Sequence, residues 1–350
     1  MNTDTPRAPG CPLPHQGREL VQLGHGAGGR LTAELLDTTV LPALGGPPAG
    51  PLEDAALLPG DGELVVSTDS FVVSPLFFPG GDIGSLAVHG TVNDLAMRGA
   101  APLALTLAVI AEEGLPLAEL RAVLDSAGRA ARGAGVPVVT GDTKVVGRGA
   151  ADRLFLNTTG IGRRIAGLSP SAAGARPGDA VLLSGPIGLH GTAVLSTREG
   201  LGFDTDIASD SRPLHRLVHA LAPYGSAVHA LRDPTRGGLA TALNELARDS
   251  ALLVEIDEAA LPVPPAVAAA CDLLGLDPLI VANEGCLVAF VAPEHADDAL
   301  GALRAHPEGE GAVRIGSAAA GPAGRVVVRT LVGARRIVDL PLGEQLPRIC

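Results

Sequence analysis

Residues 89–97 read His89-Gly90-Thr91-Val92-Asn93-Asp94-Leu95-Ala96-Met97, a mostly apolar stretch with two adjacent polar residues. It belongs to an apolar run, residues 83–98, whose spacing predicts a helix with a buried face. Asn93 and Asp94 interrupt that run, and burying an unpartnered polar group costs roughly 2–7 kcal/mol. The pair therefore predicts a helix packed against polar partners, and it makes Asp94 a candidate functional residue.

Predicted strands and helices alternate around this stretch. In the first half we predict strands at residues 63–68, 103–110, 136–140 and 154–161, and helices at 83–98 and 117–134. In the second half we predict strands at 180–184, 252–256, 287–291 and 326–330, and helices near 192–199 and 237–248. This alternation is typical of α/β (α+β) layered domains.

A segment rich in Gly, Pro, Ser and Ala, at residues 163–179, separates the two halves. We therefore expect two domains of similar size. The predicted boundaries are a lead-in at 1–20, a first domain at 21–165, a second domain at 175–338, and a mobile tail at 339–350 that carries the last cysteine.

The composition limits the class of partner. The 350 residues carry a net charge of −12, which argues against nucleic acid because phosphate binding needs clustered Lys and Arg. With no Trp, one Tyr and six Phe, the core must be aliphatic.

The cysteines and the apolar runs indicate a compartment. The four cysteines lie far apart, so neither a zinc site nor a disulfide framework is expected, and a reducing cytoplasm fits. Residues 1–6 lack the features of a signal peptide, and the apolar stretch near 100–111 is too short to span a bilayer. We expect a cytoplasmic protein with no membrane partner.

Four aspartates are candidates for a metal–nucleotide site: Asp54, Asp69, Asp94 and Asp142. Mg²⁺ prefers carboxylate oxygens together with phosphates and water, so dispersed aspartates that converge on a nucleotide would suit it. Taken singly, each also fits a helix cap or a turn. Asp94 is the exception, because it lies inside the apolar helix.

A glycine-rich segment, His25-Gly26-Ala27-Gly28-Gly29-Arg30, opens an amphipathic stretch. Glycines let backbone N–H groups approach phosphate oxygens, and a helix N-terminus adds a favourable dipole. The segment lacks the Walker Lys-Ser/Thr and does not follow a predicted strand. A phosphate loop and an ordinary turn both remain open.

Three further segments carry reactive groups. Lys144 follows Gly141-Asp142-Thr143 at a predicted strand end, and an ammonium supports proton transfer in a way that a guanidinium cannot. The segment Arg232-Asp233-Pro234-Thr235-Arg236-Gly237-Gly238 precedes a predicted helix whose N-terminus suits anions. Glu284 has apolar neighbours that would raise its pKa toward the range of a general base, although a plain turn carboxylate is the alternative.

The last residue is Cys350. A terminal thiol has no chain beyond it, so it can enter a pocket, be modified there and leave. The thiolate is the reactive form, and we expect the adjacent α-carboxylate to disfavour it and Arg348 to offset that in part. Position alone leaves two interpretations, a covalent carrier and a frayed terminus.

Together these residues resemble the HypE family of hydrogenase maturation proteins, carbamoyl dehydratases of the PurM-like (AIR synthase-related) superfamily. The resemblance runs from about residue 25 to residue 350. Its blocks are residues 69–84, 89–97, 140–146, 232–241, 281–285 and the tail Gly343-Glu344-Gln345-Leu346-Pro347-Arg348-Ile349-Cys350. Asn-Asp-Leu-Ala and Gly-Asp-Thr-Lys are typical of the superfamily, and the tail is specific to the family.

The resemblance implies ATP-dependent chemistry on Cys350. A HypF-type carbamoyltransferase would load a carbamoyl group onto the thiol. ATP would then phosphorylate the carbonyl oxygen, and loss of phosphate and of the N–H protons would leave a thiocyanate. The cyanide would pass to iron on a HypC–HypD-type scaffold and become a ligand of the [NiFe]-hydrogenase centre.

The resemblance also implies residue roles. The Mg²⁺–ATP site would comprise Asp54, Asp69, Asp94 and Asp142, with Asn93 and Thr143 at the nucleotide and His25, Gly26, Gly28 and Gly29 over the phosphates. Lys144 and Glu284 would orient and deprotonate the thiocarbamate, with the identity of the base open. Asp233 and Arg236 would line the anion side. A homodimer formed through the first domain is typical of the superfamily.

Two other functions compete with this interpretation. A phosphorylating enzyme of the selenophosphate synthetase or thiamine-phosphate kinase type would share the superfamily motifs but would not need a terminal thiol. A non-catalytic assembly scaffold would use the tail only to dock partner proteins, and it would hydrolyse no ATP.

Overall fold

The structure is a computed structural model, and it describes residues 29–43, 51–58, 63–200, 207–341, 346 and 348–350. Predictions for His25, Gly26, Gly28 and the lead-in at 1–20 lie outside the described residues. Among the helices of the described part, none is both long enough and apolar enough to cross a membrane.

Two large sheets form the framework. The strands are β1 (Ala56–Leu58), β2 (Leu64–Phe71), β3 (Phe77–Phe78), β4 (Gly81–Asp82), β5 (Ala100–Glu112), β6 (Val138–Val146), β7 (Leu154–Arg164), β8 (Ala180–Leu183), β9 (Val228–Arg232), β10 (Leu253–Asp257), β11 (Val288–Val291), β12 (Val313–Ala319), β13 (Arg325–Arg329) and β14 (Arg335–Ile337). The first sheet has the order β1-β2-β7-β5-β6, and the second has the order β14-β13-β10-β12-β8-β11-β9.

Helices cover these sheets. They are α1 (Arg30–Leu35), α2 (Leu41–Ala43), α3 (Ile83–Met97), α4 (Leu117–Ala134), α5 (Leu189–Glu199), α6 (His215–Ala220), α7 (Gly238–Asp249), α8 (Pro265–Leu274) and α9 (Ala296–Arg304). A π-helical turn, Leu36–Val40, joins α1 to α2. The mixed α/β architecture predicted from the sequence is confirmed.

In the first domain, α3 packs on the sheet and against α4. The helix begins at a capping box, in which the Asp82 side chain accepts hydrogen bonds from the N–H groups of Gly84 (2.7 Å) and Ser85 (3.0 Å). Gly84 allows the close contact with α4, since a Cβ there would lie 2.2 Å from the Val123 carbonyl oxygen. This contact fixes the helix that carries Asn93 and Asp94.

The second sheet is covered on both faces. Val181 and Leu183 of β8 belong to a core that includes Leu243 of α7, whereas Leu182 packs in a core on the opposite face with helices α6 and α9. Strands buried on both faces are continuously apolar rather than alternating, as β8 and β11 are.

Strand β6 differs from its prediction. A strand was predicted at 136–140 with Gly141-Asp142-Thr143-Lys144 beyond its end, but β6 runs from Val138 to Val146 and includes that tetrapeptide. It pairs in parallel with β5, with Lys144 beside Ile110. Pairing with a long neighbouring strand extends β6, and the local sequence does not show that partner. Asp69 likewise lies within β2 rather than at its end.

Candidate active site

Acidic side chains from both domains meet in one cavity of about 230 Å³. Its lining residues are Asp54, Thr68, Asp69, Gly90, Asp94, Asp233, Thr235, Arg236, Glu284 and Cys350. Carboxylate oxygens of Asp54, Asp94 and Asp233 all lie within 4.8 Å of one another. Three of the four aspartates predicted for the metal site are therefore in the cavity, together with Asp233, which was predicted for the anion side.

Local structure brings these carboxylates together. Asp94 lies on α3, and its Oδ2 accepts a 2.6 Å hydrogen bond from the Ser67 hydroxyl on β2. Asp233 follows directly after β9. Arg232, the last residue of β9, pairs with Asp54 and also with Glu245, which it contacts at 2.5 Å. The loop before β1 is thereby held against the second domain.

Burial and mutual repulsion perturb the acids strongly. Burial raises the pKa of Asp94 well above the usual carboxyl range, and neighbouring carboxylates, Asp233 first, raise it further. Burial and then Asp54 raise the pKa of Asp233 to about 7. Clustered carboxylates with raised pKa values are the oxygen donors that a hard divalent cation prefers, since the cation removes their repulsion. The residues present therefore fit Mg²⁺.

Asn93 has a different position from the one predicted. It does not line the cavity, and its side chain is bonded to backbone of the second domain. Its Nδ2 donates to the Arg212 carbonyl (3.1 Å), and its Oδ1 accepts from the Leu214 N–H (2.7 Å). The polar partners expected for this buried residue exist, but they hold the two domains together.

Glu284 is in the cavity, as predicted, and its backbone is fixed from behind. The Asp210 carboxylate accepts hydrogen bonds from the N–H groups of Glu284 (3.1 Å) and Gly285 (2.9 Å). Burial raises the pKa of Glu284 well above its ordinary value, and Asp233 and other nearby carboxylates raise it further. Nearby negative charges thus add to the rise in the pKa of Glu284 that was expected from its apolar neighbours.

The tail enters the same cavity. Cys350 is buried, and its Sγ lies 3.2 Å from Nη1 of Arg236. Burial raises the pKa of Cys350 to about 12, although Arg236 acts in the opposite direction. The expectation that Arg348 would assist the thiolate is wrong, because Arg348 instead pairs with Asp152. The docked thiol is protonated at neutral pH.

Backbone hydrogen bonds seat the end of the tail along residues 72–74. The N–H of Val72 donates to a backbone oxygen of Cys350 (3.1 Å), and the N–H of Ser74 donates to the Arg348 carbonyl (3.2 Å). Ile349 is buried in a hydrophobic core that both domains form, with Phe71 from the first and Val194 from the second. Residues 348–350 are therefore docked in this structure.

Asp142, Thr143 and Lys144 are not brought to this cavity. They lie on exposed β6, where the side chains of Asp142 and Lys144 are 60% and 68% exposed and form an ion pair at 2.8 Å. The hydrogen bond from Lys144 lowers the pKa of Asp142. Within a single chain the predicted roles of these residues at the nucleotide and the thiocarbamate are not supported.

Gly29 precedes α1, and it contacts the tail at Pro341 rather than lining the cavity. A Cβ at Gly29 would lie 2.5 Å from the Pro341 carbonyl oxygen. The N–H of Arg30 donates to the same oxygen at 3.3 Å. The described end of the glycine-rich segment thus contacts the beginning of the tail.

The sequence reasoning missed several residues. Thr68, Gly90 and Thr235 line the cavity, Arg232 holds Asp54, and Asp210 holds Glu284. Thr235 and Arg232 lie in a segment already singled out beside Asp233, which was an available signal. Asp210 carried none, because its role depends on a contact 74 residues away in sequence.

Known protein families match both domains that form this cavity. Family models match both domains: "AIR synthase related protein, N-terminal domain" over residues 52–164 and "AIR synthase related protein, C-terminal domain" over residues 176–329. The two-domain fold with a carboxylate-lined cavity between the domains is thus an AIR synthase-related, PurM-like fold, as predicted.

Closer relatives specify the family. Carbamoyl dehydratase HypE of Cupriavidus necator is 54% identical over 332 residues, which cover 94% of this chain and 95% of the relative. A crystal structure of the hydrogenase maturation protein HypE in complex with ATP has a TM-score of 0.80 and 50% identity, covering 94% of this chain and 99% of that one. A HypE–HypF complex structure has a TM-score of 0.81 and 47% identity, covering 89% and 98%. The chain belongs to the HypE family of carbamoyl dehydratases.

Proposed function

We propose that this enzyme uses ATP to dehydrate a carbamoyl group carried on Cys350, and so supplies cyanide for the iron of a [NiFe]-hydrogenase. The observation that carries the proposal is the position of the terminal thiol. Cys350 shares one cavity with Glu284 and with the Asp54–Asp94–Asp233 cluster. A kinase acting on a free small molecule has no need for a terminal thiol in its reaction cavity.

The reaction balances as one dehydration per ATP. The thiocarbamate S–C(=O)–NH₂ loses its oxygen, which leaves in inorganic phosphate, and both N–H protons; the products are S–C≡N, ADP and phosphate. Mg²⁺–ATP, when bound, supplies the phosphoryl group that makes this oxygen a leaving group. The protein must orient the thiocarbamate, accept a proton and exclude water.

The carboxylates Asp54, Asp94 and Asp233 would hold the cation, with Asp69 beside them. This assignment keeps three of the predicted ligands and adds Asp233. Its support is the approach of the three side chains within 4.8 Å and the raised pKa values, which make the cluster unfavourable without a cation. The role predicted for Asp142 requires a second chain to cover β6.

Glu284 would accept a proton from the carbamoyl nitrogen. It lies in the cavity with Cys350, and its raised pKa makes it a stronger base than an exposed carboxylate. The guanidinium of Arg236, at 3.2 Å from the sulfur, would stabilise negative charge that develops on the group carried there. Lys144, the other candidate base, lies on the exposed strand.

Three partners follow from the proposal. A HypF-type carbamoyltransferase would load Cys350, and a HypC–HypD-type complex would receive the cyanide; the HypE–HypF complex structure of a relative supports the first. A second copy of the chain would cover the first sheet on the face opposite α3 and α4. That face carries Ile110 and Ile161, which are 39% and 37% exposed, and Lys144 lies beside Ile110 on the neighbouring strand.

Mass analysis tests the proposal. The protein is incubated with a HypF-type carbamoyltransferase, carbamoyl phosphate and Mg²⁺–ATP, and its intact mass is followed over time. We expect a carbamoyl adduct and then a cyano adduct, both mapping to Cys350 and both absent from Cys350→Ser. An unmodified tail, or adducts at another residue, would overturn the proposal.

A further inference from the structure

A buried histidine contacts the tail one residue before the reactive thiol. His190 lies on α5 with its side chain fully buried, and its Nε2 is 2.8 Å from the Ile349 carbonyl oxygen. A carbonyl oxygen can only accept, so Nε2 carries the proton and donates. The other ring nitrogen, Nδ1, then accepts a 2.7 Å hydrogen bond from the Ser209 hydroxyl.

The imidazole is held on three sides. The Phe78 ring packs edge-on against it with centroids 5.3 Å apart. Ser209 is fixed in turn, because its N–H donates to the Pro79 carbonyl (2.8 Å) and its Oγ accepts from the N–H of Ser211 (3.1 Å). The donor that meets Ile349 is therefore part of a rigid arrangement.

The segment that fixes His190 also fixes Glu284. Asp210, the residue next to Ser209, accepts the hydrogen bonds from the backbone of Glu284 and Gly285. One short stretch thus contacts both groups: Ser209 contacts His190, which binds the tail, and Asp210 binds the backbone of Glu284. This stretch therefore links the position of Ile349 to that of Glu284.

We propose that His190 is a positioning residue for the dehydration: its hydrogen bond to the Ile349 carbonyl sets how far Cys350 enters the cavity, and residues 209–210 fix that depth relative to Glu284. The proposal rests on the proposed function, since it assumes that Cys350 carries the reacting group.

The backbone hydrogen bonds from Val72 and Ser74 hold the tail at Cys350 and Arg348, and His190 is the donor that holds the Ile349 carbonyl between them. Apolar burial alone would not fix the position of that carbonyl. Burial of Ile349 favours docking, but the hydrophobic effect has no direction and tolerates a shift along the groove. A hydrogen bond to a fixed donor restricts the adjacent carbonyl to one place. It is also weak enough to break, contributing about 0.5–1.5 kcal/mol, so the tail can leave to be loaded.

The test uses two variants of His190, each of which keeps only one of the two hydrogen bonds made by the imidazole. In H190Q the amide nitrogen takes the place of Nε2 and keeps the donor to Ile349; in H190N the shorter amide reaches Ser209 but not the tail. H219N makes the same chemical change on an exposed histidine of α6 and serves as the control. Two rates are measured: iodoacetamide alkylation of Cys350, and single-turnover conversion of the carbamoyl adduct to the cyano adduct.

We expect H190N to be alkylated about tenfold faster and to convert about tenfold more slowly, whereas H190Q and H219N stay within about twofold of the wild type. If H190N matches the wild type, or if H190Q changes as much as H190N, the proposal is overturned. A merely structural role would lower the melting temperature of both His190 variants without changing the reactivity of Cys350.

If H190N does not fold, His190→Met carries the test, since it keeps much of the side-chain volume but has no donor for the Ile349 carbonyl. H190M and H190Q both lose the contact with Ser209, so faster alkylation of Cys350 in H190M than in H190Q supports the proposal, and equal alkylation in the two overturns it. Alkylation needs no ATP, so failure of this inference is distinct from failure of the proposed function, in which the wild type forms no cyano adduct.

Discussion

The cavity between the domains and the exposed face of β6 carry the same residue types in opposite environments. Burial and neighbouring carboxylates raise the pKa values of Asp94 and Asp233 in the cavity. On β6, hydrogen bonds from Lys144 and from the Thr143 N–H lower the pKa of Asp142. The cavity aspartates Asp94 and Asp233 therefore lack enough neighbouring positive charge to balance their own, whereas Asp142 on β6 is paired with Lys144.

This difference separates two kinds of candidate residue. The cavity carboxylates need a cation to be stable as anions, which makes them suited to a metal and to proton transfer. Asp142 and Lys144 satisfy each other in a single chain and gain a role only if a second surface covers them. The following predictions test that division.

The largest effect is expected at the proton acceptor. Glu284→Gln preserves the shape of the side chain but removes its basicity, so the conversion of carbamoyl to cyano adduct should slow on the order of 10²–10⁴-fold. Lys144→Gln, on the exposed strand, should slow it less than about tenfold. Single-turnover mass analysis measures both. The reverse order would transfer the proton-acceptor role to Lys144.

The cation cluster comes next. Asp94→Asn should slow dehydration on the order of 10²–10³-fold, the range seen when one group that stabilises charge at a reaction centre is removed. Carbamoylation of Cys350 should continue, because loading takes place on the partner transferase. Asp125→Asn, an exposed residue of α4, is the matched control. A normal rate of cyano formation in Asp94→Asn would contradict the metal assignment.

The docked thiol should respond to pH. Its pKa is raised from 9.0 to about 12, so docking favours the protonated form. Docking is then fully present below about pH 9 and is lost as pH rises from 9 toward 12. At pH 8 we expect iodoacetamide to alkylate Cys350 at least about tenfold more slowly in the native protein than in urea, with the difference shrinking above pH 9. Equal rates at pH 8 would mean that the tail is not docked.

The smallest effect concerns the homodimer. Ile110→Lys places a second ammonium beside Lys144 on the face that we expect a second copy to cover, and it should weaken self-association about tenfold. Val332→Lys, at a residue that is 90% exposed between β13 and β14, should have no effect. Sedimentation velocity over a range of concentrations distinguishes them. Equal dissociation constants would place the interface elsewhere.

Local pattern predicted the regular elements well. The amphipathic helix at 117–134 has those bounds as α4, and the run at 83–98 is α3 to within one residue. In the second domain, helices α6, α8 and α9 and strands β9, β12 and β14 were not predicted. Helix α8 is apolar on most sides, so its periodicity is weak, whereas α9 is amphipathic but has only nine residues.

The site was predicted in composition but not in arrangement. Asp94 and Glu284 were recognisable because polar residues stood in apolar surroundings. Asp142 looked equivalent to Asp69 in sequence, but the fold places it on β6, the exposed edge strand of the first sheet, outside the cavity. The neighbour of the terminal thiol is Arg236 rather than Arg348, because the tail returns to a segment 114 residues away.

The central claim is that the oxygen lost from the Cys350-bound carbamoyl group leaves in phosphate. Protein whose carbamoyl group carries ¹⁸O would be given Mg²⁺–ATP in unlabelled water, and the released inorganic phosphate analysed by mass spectrometry. The account predicts one ¹⁸O in the phosphate for each cyano group formed on Cys350. Unlabelled phosphate formed alongside the cyano adduct would contradict it.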